Sequence, residues 1–421
     1  MTKLKEDTVA RAKSALAFVL AFAKWTGVAC MIGCVGGLVG SAFHLCVGAA
    51  TALRQSKDWL IWLMPVCGLA IVALYRLTKT EGKGTNAVIG SIHFGKTIPM
   101  LLVPVIFIST VLTHLCGGSA GREGAALQIG GGLGCNIGRA LRLGEKDAPL
   151  ATLCGMSAVF SALFGTPVTA TIFALEVCSV GVIHYSGLVP CGTAALVAYG
   201  VTRLFAIPPT QFAVAAIPLG LWPLVRVGVL AALCALMSVL FCKLLHGAEK
   251  GAQKLLPNPY LRVLAGSAVL LALTLLLGTR DYNGTGMDVI TRALEQGSAR
   301  PEASLLKIVF TAVTLACGFK GGEVVPTFFI GAAFGCAVGP LLGLPAGFSA
   351  AIGMVALFCG AVNCPVASLV LSVELFGAGG FCYFGLACAI SYMLSGYSSL
   401  YVSQRIMYSK LRAEYININA K

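Results

Sequence analysis

Apolar positions along this chain gather into long runs, separated by short breaks rich in glycine or basic residues. The runs are Ser14–Leu53, Trp59–Leu77, Ile98–Leu115, Ala148–Val182, Ser186–Leu204, Trp222–Leu245, Leu261–Leu277, Leu305–Cys317, Val324–Leu341, Ala346–Leu375 and Phe381–Tyr401. A single helical span of a bilayer needs about 20 residues. Several runs exceed that and several fall short, so the pattern predicts tilted, broken and re-entrant helices rather than a ladder of equal spans.

Comparing the chain with itself adds a second level of order. Cys116-Gly-x-x-x-Gly121 followed by Ile129-Gly130 lines up without a gap with Cys317-Gly-x-x-x-Gly322 followed by Ile330-Gly331, at a spacing of 201 residues. Gly155, Pro167 and Glu176 match Gly353, Pro365 and Glu374 at a spacing of 198, and Gly82-Lys83-Gly84 matches Gly284-Thr285-Gly286 at 202. The chain therefore reads as two membrane repeats, about 1–210 and 211–421, joined through the Pro-containing segment Ile207–Trp222 and forming one transmembrane domain. Repeats in membrane transporters with an odd number of spans come out inverted, with the ligand site at their interface.

Composition agrees with the pattern: 57% of the 421 residues are hydrophobic and 11% charged. The net charge of +14 would suggest nucleic acid in a soluble protein. Here the basic residues sit in short loops and at the ends (Lys3, Lys5, Arg11, Lys13; Arg139, Arg142, Lys146; Lys243, Lys250, Lys254; Arg405, Lys410, Arg412). That is the positive-inside bias, and it predicts a multi-pass protein of the cell (inner) membrane with cytoplasmic termini, not a nucleic-acid binder. The seventeen cysteines lie mostly inside apolar runs without ligand-like spacing, as small packing residues rather than metal ligands. No cofactor is expected. His114 with Ser119 has no supporting motif, and the chain does not read as an enzyme.

Charges inside apolar runs need a physical reason. Arg122 and Glu123 lie between Pro99–Leu115 and Ala125–Leu141, in the glycine-rich turn Gly117–Gly124, and Glu323 lies in the related turn Gly318-Phe-Lys-Gly-Gly-Glu-Val-Val-Pro326. A helix that starts at membrane depth leaves free N–H groups and a positive dipole end, which an anion satisfies. Glu123, when ionised, would compete with the anion for those amides and move away when protonated, linking anion to proton movement; its bland reading is an ion pair with Arg122. Lys83, in its Gly-x-Gly turn, either holds the anion or snorkels to the boundary beside Lys79 and Glu81. Glycines 36, 37, 130 and 134 read as helix-packing positions. Glu176 and Glu374 end equivalent helices, in a structural or a functional role.

Taken together, Gly121-Arg-Glu-Gly124, the upstream Gly-x-Gly turn, the second Gly-Gly-x-x-x-Pro turn, the Pro167-to-Glu176 helix and a tyrosine placed in the last helix, Tyr401, resemble the CLC family of chloride channels and proton/anion antiporters, over about residues 20–405. The resemblance implies an all-α polytopic fold of two inverted repeats, a homodimer in the lipid bilayer with one anion pathway per subunit, Glu123 as gate, and an anion site built from Gly121, Gly124, Val324, Val325, Tyr401 and the Lys83 turn. Departures point within the family. Lys83 stands at the central serine position, Val177 at the inner proton-passing glutamate and Ala125 where many members have proline, while Glu323 is an added carboxylate. Loss of that serine, loss of that glutamate and the Gly-Gly-Glu-Val turn resemble the bacterial fluoride/proton antiporter branch, from which Lys83 is itself a departure. The expected function is exchange of chloride or fluoride for protons, with a passive chloride channel and a non-transporting membrane scaffold as alternatives. The tail from about Ser409 is too short for the regulatory domains some members append.

Overall fold

The computed structural model describes residues 2–95 and 97–421; for 2–10 and 12 it describes backbone only, so the Lys3 and Lys5 side chains lie outside the described residues. The first half of the chain forms α1 (Thr2–Ser56), α2 (Met64–Leu77), α3 (Thr85–Phe94), α4 (Leu102–Cys116), α5 (Glu123–Ala140), α6 (Ala148–Phe164), α7 (Pro167–Glu176) and α8 (Leu188–Leu204). The second forms α9 (Leu221–Leu255), α10 (Pro259–Leu277), α11 (Met287–Glu295), α12 (Ala303–Ala316), α13 (Val324–Val338), α14 (Ala346–Val362), α15 (Pro365–Phe376) and α16 (Phe381–Leu394). Each element of one series has its counterpart in the other, and the structure is that of an all-α polytopic membrane protein.

The expected breaks fall where the chain chemistry demands them. The run Ala148–Val182 is cut at Gly165 and Thr166, and its repeat, Ala346–Leu375, is cut at Asn363 and Cys364, each just before the proline that opens α7 or α15. Proline supplies no amide hydrogen and suits a first turn. The run Ser14–Leu53, in contrast, is not broken: α1 is one helix of 55 residues. No proline interrupts it before Pro65, and Gly33, Gly36, Gly37 and Gly40 pack against neighbouring helices rather than forming turns. At about 1.5 Å per residue it is far longer than a bilayer is thick. Among the described residues, six helices or helical stretches are long and apolar enough to cross a membrane, and the remaining apolar helices are only 10–17 residues long.

Small residues set the closest helix approaches. A Cβ at Gly130 would lie 2.2 Å from the Gly155 carbonyl oxygen, and one at Gly134 2.1 Å from that of Ala151; in the repeat, one at Gly331 would lie 2.4 Å from the Gly353 oxygen. The α5–α6 and α13–α14 crossings thus require glycine, as small-residue packing in lipid does generally. Gly36 and Gly37 are likewise packed, against Ala158 and Val201.

The halves also clasp each other reciprocally. Both carboxylate oxygens of Glu176, at the end of α7, accept from the first amides of α15, Val366 N–H (3.2 Å) and Ala367 N–H (2.8 Å). Glu374, at the end of α15, accepts from Val168 N–H (3.1 Å) and Thr169 N–H (2.8 Å) of α7. Each acid therefore caps the positive end of the other half's helix, which is the exchange of contacts a local two-fold produces. These glutamates are structural.

A three-stranded sheet is the element that the hydropathy pattern does not announce. β1 (Ser179–Val180) pairs parallel with β2 (Arg405–Tyr408), which pairs antiparallel with β3 (Tyr415–Asn419). Gln404, just before β2, donates to the carbonyls of Val177 and Val362, both at 2.8 Å. Lys410 lies beyond the last helix and donates to Asn363 Oδ1 (2.5 Å), the Tyr392 carbonyl (2.7 Å) and Ser395 Oγ (3.1 Å). Burial lowers the Lys410 ammonium to about 8, against an ordinary 10.5. The unfolded chain therefore binds more protons between those values, and this group's contribution to stability rises as pH is raised from about 8 toward 10.5. Thermal unfolding in detergent across that window should show the rise, and Lys410→Met should remove it.

Candidate anion and proton site

The N-termini of α5 and α13 meet head to head. Gly121 N–H donates to the Gly322 carbonyl and Gly322 N–H to that of Gly121, both at 2.7 Å, in a single antiparallel bridge. The approach tolerates no side chain: a Cβ at Gly322 would lie 2.3 Å from the Gly124 nitrogen. Immediately beyond the bridge each helix begins, so its first amides have no carbonyl of their own helix to bond.

Two carboxylates stand at this junction, Glu123 buried and Glu323 half-buried. Glu123 opens α5; its Oε2 accepts from Arg122 N–H (2.9 Å), and its Oε1 lies 3.5 Å from Arg122 Nε. The ion pair weighed as the bland reading is thus present, yet Oε1 makes no hydrogen bond. Glu323 precedes α13; its Oε2 is buried without a hydrogen-bond partner and reaches within 2.9 Å of where a Cβ on Gly124 would stand. In repeat register Glu323 corresponds to Arg122, and Glu123 to Val324, so the two acids are one residue out of step. Val324 and Val325 are fully buried and bring only backbone amides to the junction.

The remaining expected residues converge from another direction. Tyr401 is buried, and its hydroxyl also lacks a partner. It does not lie in the last helix: α16 ends at Leu394, and Tyr401 sits in the non-helical stretch that leads to β2. That stretch is pinned by Ser403 N–H to Asn86 Oδ1 (3.1 Å), which places it beside the Lys83 turn. Thr85 Oγ1 in turn donates to the Gly124 carbonyl (3.3 Å) and accepts from Gln128 Nε2 (3.1 Å). Thr85 and Gln128 were not singled out from the sequence. Gln128 stands one helical turn after Gly124, a spacing that puts both on one face of α5. Lys83 is half-buried on the same wall and forms no ion pair among the described residues.

Two cavities flank the bridge, and the local two-fold relates their walls. One, of about 210 Å³, is lined by the α3 turn with Lys83 and Thr85, by Lys320, Glu323 and Tyr401, and by His246 and Glu249 of α9. The other, of about 420 Å³, is lined by the α11 turn with Thr285, by Arg122, and by Thr51 and Arg54 of α1. Each cavity thus takes one wall from one half's first long helix and one from the other half's short-helix turn.

Comparison with known proteins draws the same outline. Residues 68–396 match the family model described as voltage gated chloride channel. The chain belongs to this CLC family. A chloride/fluoride channel protein of Pseudomonas syringae pv. tomato is 37% identical over 397 residues, covering 92% of this chain and 88% of that protein. The crystal structure of a CLC-type fluoride/proton antiporter superposes with a TM-score of 0.88 at 30% identity, covering 91% of this chain and 98% of that one. A slow cyanobacterial Cl⁻/H⁺ antiporter shares the fold, with a TM-score of 0.76 at 16% identity.

Other polar groups of this CLC chain are committed elsewhere. His114 Nδ1 bonds the Thr110 carbonyl at 2.8 Å, while Ser119 Oγ pairs with Thr311 Oγ1 at 3.1 Å, so the two do not form a dyad. Among the described residues no group of three or more His, Cys, Asp or Glu is placed to hold a metal ion, and all seventeen cysteines are unpaired. Because the bridge leaves no room for a side chain, Gly322→Ala should shift the α5 N-terminus even where the protein still folds. Its thermal midpoint should fall by an amount equivalent to about 1–3 kcal/mol, whereas Gly144→Ala, in open space, should match the parent chain.

Proposed function

We propose that the chain carries a small anion, fluoride or chloride, across the membrane in exchange for protons. The carrying observation is the pair of carboxylates, Glu123 and Glu323, at the junction of two helix N-termini, each with a buried oxygen that no protein donor satisfies. Buried polar atoms at membrane depth are expensive unless partnered. A proton on either acid, or an anion at the freed amides when an acid withdraws, supplies the partner. Glu123 is the gate and Glu323 the second proton-linked group. Gly121, Gly124, Val324 and Val325 offer main-chain contacts, Tyr401 a hydroxyl, and Lys83 a cation at the cavity wall. The names of the fluoride/proton antiporter and of the chloride/fluoride channel protein support a halide as cargo.

Around this core the proposal is a transporter rather than an enzyme, built of two repeats, 1–210 and 211–421, that work as one transmembrane domain. It sits in the bilayer of the cell's inner membrane as a homodimer with cytoplasmic termini. The basic residues of the short loops support that orientation. Val177, fully buried at the position after Glu176, favours a second reading, a passive anion channel without proton coupling.

Purified protein in liposomes separates the two. An inward anion gradient should drive protons uphill, and Glu123→Ala should abolish proton movement while anion leak persists. Glu323→Gln should reduce coupled turnover at least ~10-fold, as loss of a positioned proton-transfer group does. Anion flux without any proton movement, at rates above about 10⁵ ions per second, would establish the channel instead.

A further inference from the structure

We propose that the larger cavity holds a separate capture site for the cargo anion, centred on Arg54 of α1. The proposal rests on the transport reading and adds to it a binding station ahead of the Glu123 gate. Arg54 is 7% exposed, lines this cavity together with Arg122, and has a buried Nε without a hydrogen-bond partner. A buried guanidinium is costly unless something of opposite charge meets it.

The surrounding groups do not meet it. Asp58 is paired with Arg280 at 2.5 Å and Asp281 with Arg292 at 2.9 Å. Asp288 accepts from the Gln55 amide at 3.1 Å and offsets part of the Arg54 charge at longer range. Nor is Arg54 needed to satisfy the backbone turns it packs upon. The Gly117 carbonyl accepts from Asn283 Nδ2 at 3.0 Å. The carbonyls of Tyr282 and Gly284 accept from Lys307 Nζ, at 3.2 and 2.8 Å. Lys307 is fully buried behind the turn and is occupied with those two carbonyls. With the Arg122–Glu123, Arg280–Asp58 and Arg292–Asp281 pairs set aside, the Arg54 guanidinium is left facing the cavity, met only at longer range by Asp288.

Position completes the argument. The Arg54 side chain lies against both Gly117 and Gly284: its Cδ is 3.4 Å from a Cβ built on the first, and its Nη2 2.9 Å from one built on the second. These glycines belong to turns of different repeats, so the cation is held at their seam, on the cavity side where Arg122 and Glu123 begin α5. An anion entering here meets a fixed, unpartnered guanidinium before it meets the gate, and that local positive charge raises the anion's concentration there. The cavity exceeds the volume of a bare halide, so recognition at this station is by charge and not by size; selectivity belongs to the junction beyond.

Bromide is the probe. Wild-type crystals grown in bromide should show an anomalous peak within about 4 Å of the Arg54 guanidinium, a contact range typical of charge-assisted pairing. The peak should vanish in Arg54→Gln and persist in Arg54→Lys. In liposomes, Arg54→Gln should raise the half-saturating anion concentration on that side about 5-fold, leaving the maximal rate within about 2-fold, with Arg54→Lys restoring most of the affinity. Absence of bromide near Arg54 in the wild-type protein, or unchanged saturation in a folded Arg54→Gln, would overturn the capture site. The wild-type measurement decides even where Arg54→Gln does not fold. Bromide at Arg54 in a protein that moves no anion would sink the transport reading and leave the binding site standing.

Discussion

Two hydrogen bonds between Gly121 and Gly322 set the conditions for everything at the centre of this molecule. They join the two halves where α5 and α13 begin in the protein's interior, and they consume loop amides two residues before each helix starts. What remains beyond them is a set of first-turn N–H groups whose own helices cannot satisfy them. The helices are held there by crossings just as tight, Gly130 and Gly134 over α6 and Gly331 over α14. Their aim is thus a consequence of backbone packing, not of side chains that could relax.

Around that junction the repeat is kept in backbone and broken in charge. The position that holds Arg122 in the first half holds Glu323 in the second. Of the two cavities, one has Arg54, Arg122 and Arg280 on its walls beside Asp58, Asp281 and Asp288, and the other Lys83 and Lys320 beside Glu249 and Glu323. A strictly symmetric site would present the same field to both sides. The substitution of an acid for a base at one repeat position makes the two approaches chemically different while leaving the scaffold shared.

Much of this was legible in the residues. The Cys-Gly-x-x-x-Gly blocks located both turns, and Pro167 and Pro365 marked where apolar runs must break, because proline chemistry is local. The continuity of α1 was not legible, since a long apolar run without proline has the same pattern whether it bends or stays straight. Tyr401 was expected in the last helix and lies beyond it. The polar break Ser395-Gly396-Tyr397-Ser398-Ser399, with Gly396 at positive φ, ends the helix, and the pairing of Ser403 with Asn86 sets the place of the stretch beyond. Thr85 and Gln128 were hidden for a related reason: an uncharged hydroxyl or amide in a polar turn carries no signal until its partner is known.

The fate of Glu176 bears on how protons would travel in the exchange reading. Its two oxygens are occupied by α15 amides, and the adjacent Val177 offers only a carbonyl, already bonded to Gln404. That corner is therefore closed by structure, with the β2 strand and the Lys410 clamp sealing it from behind. The acids left facing open space near the junction are Glu323 and, across the same cavity, Glu249 on α9. A proton bound for Glu323 then shares its cavity with Lys83, Lys320 and Tyr401, the groups an anion would pass. Coupling in such an arrangement needs no second conduit: the two ions meet in one space, and the occupancy of one sets the charge that the other encounters.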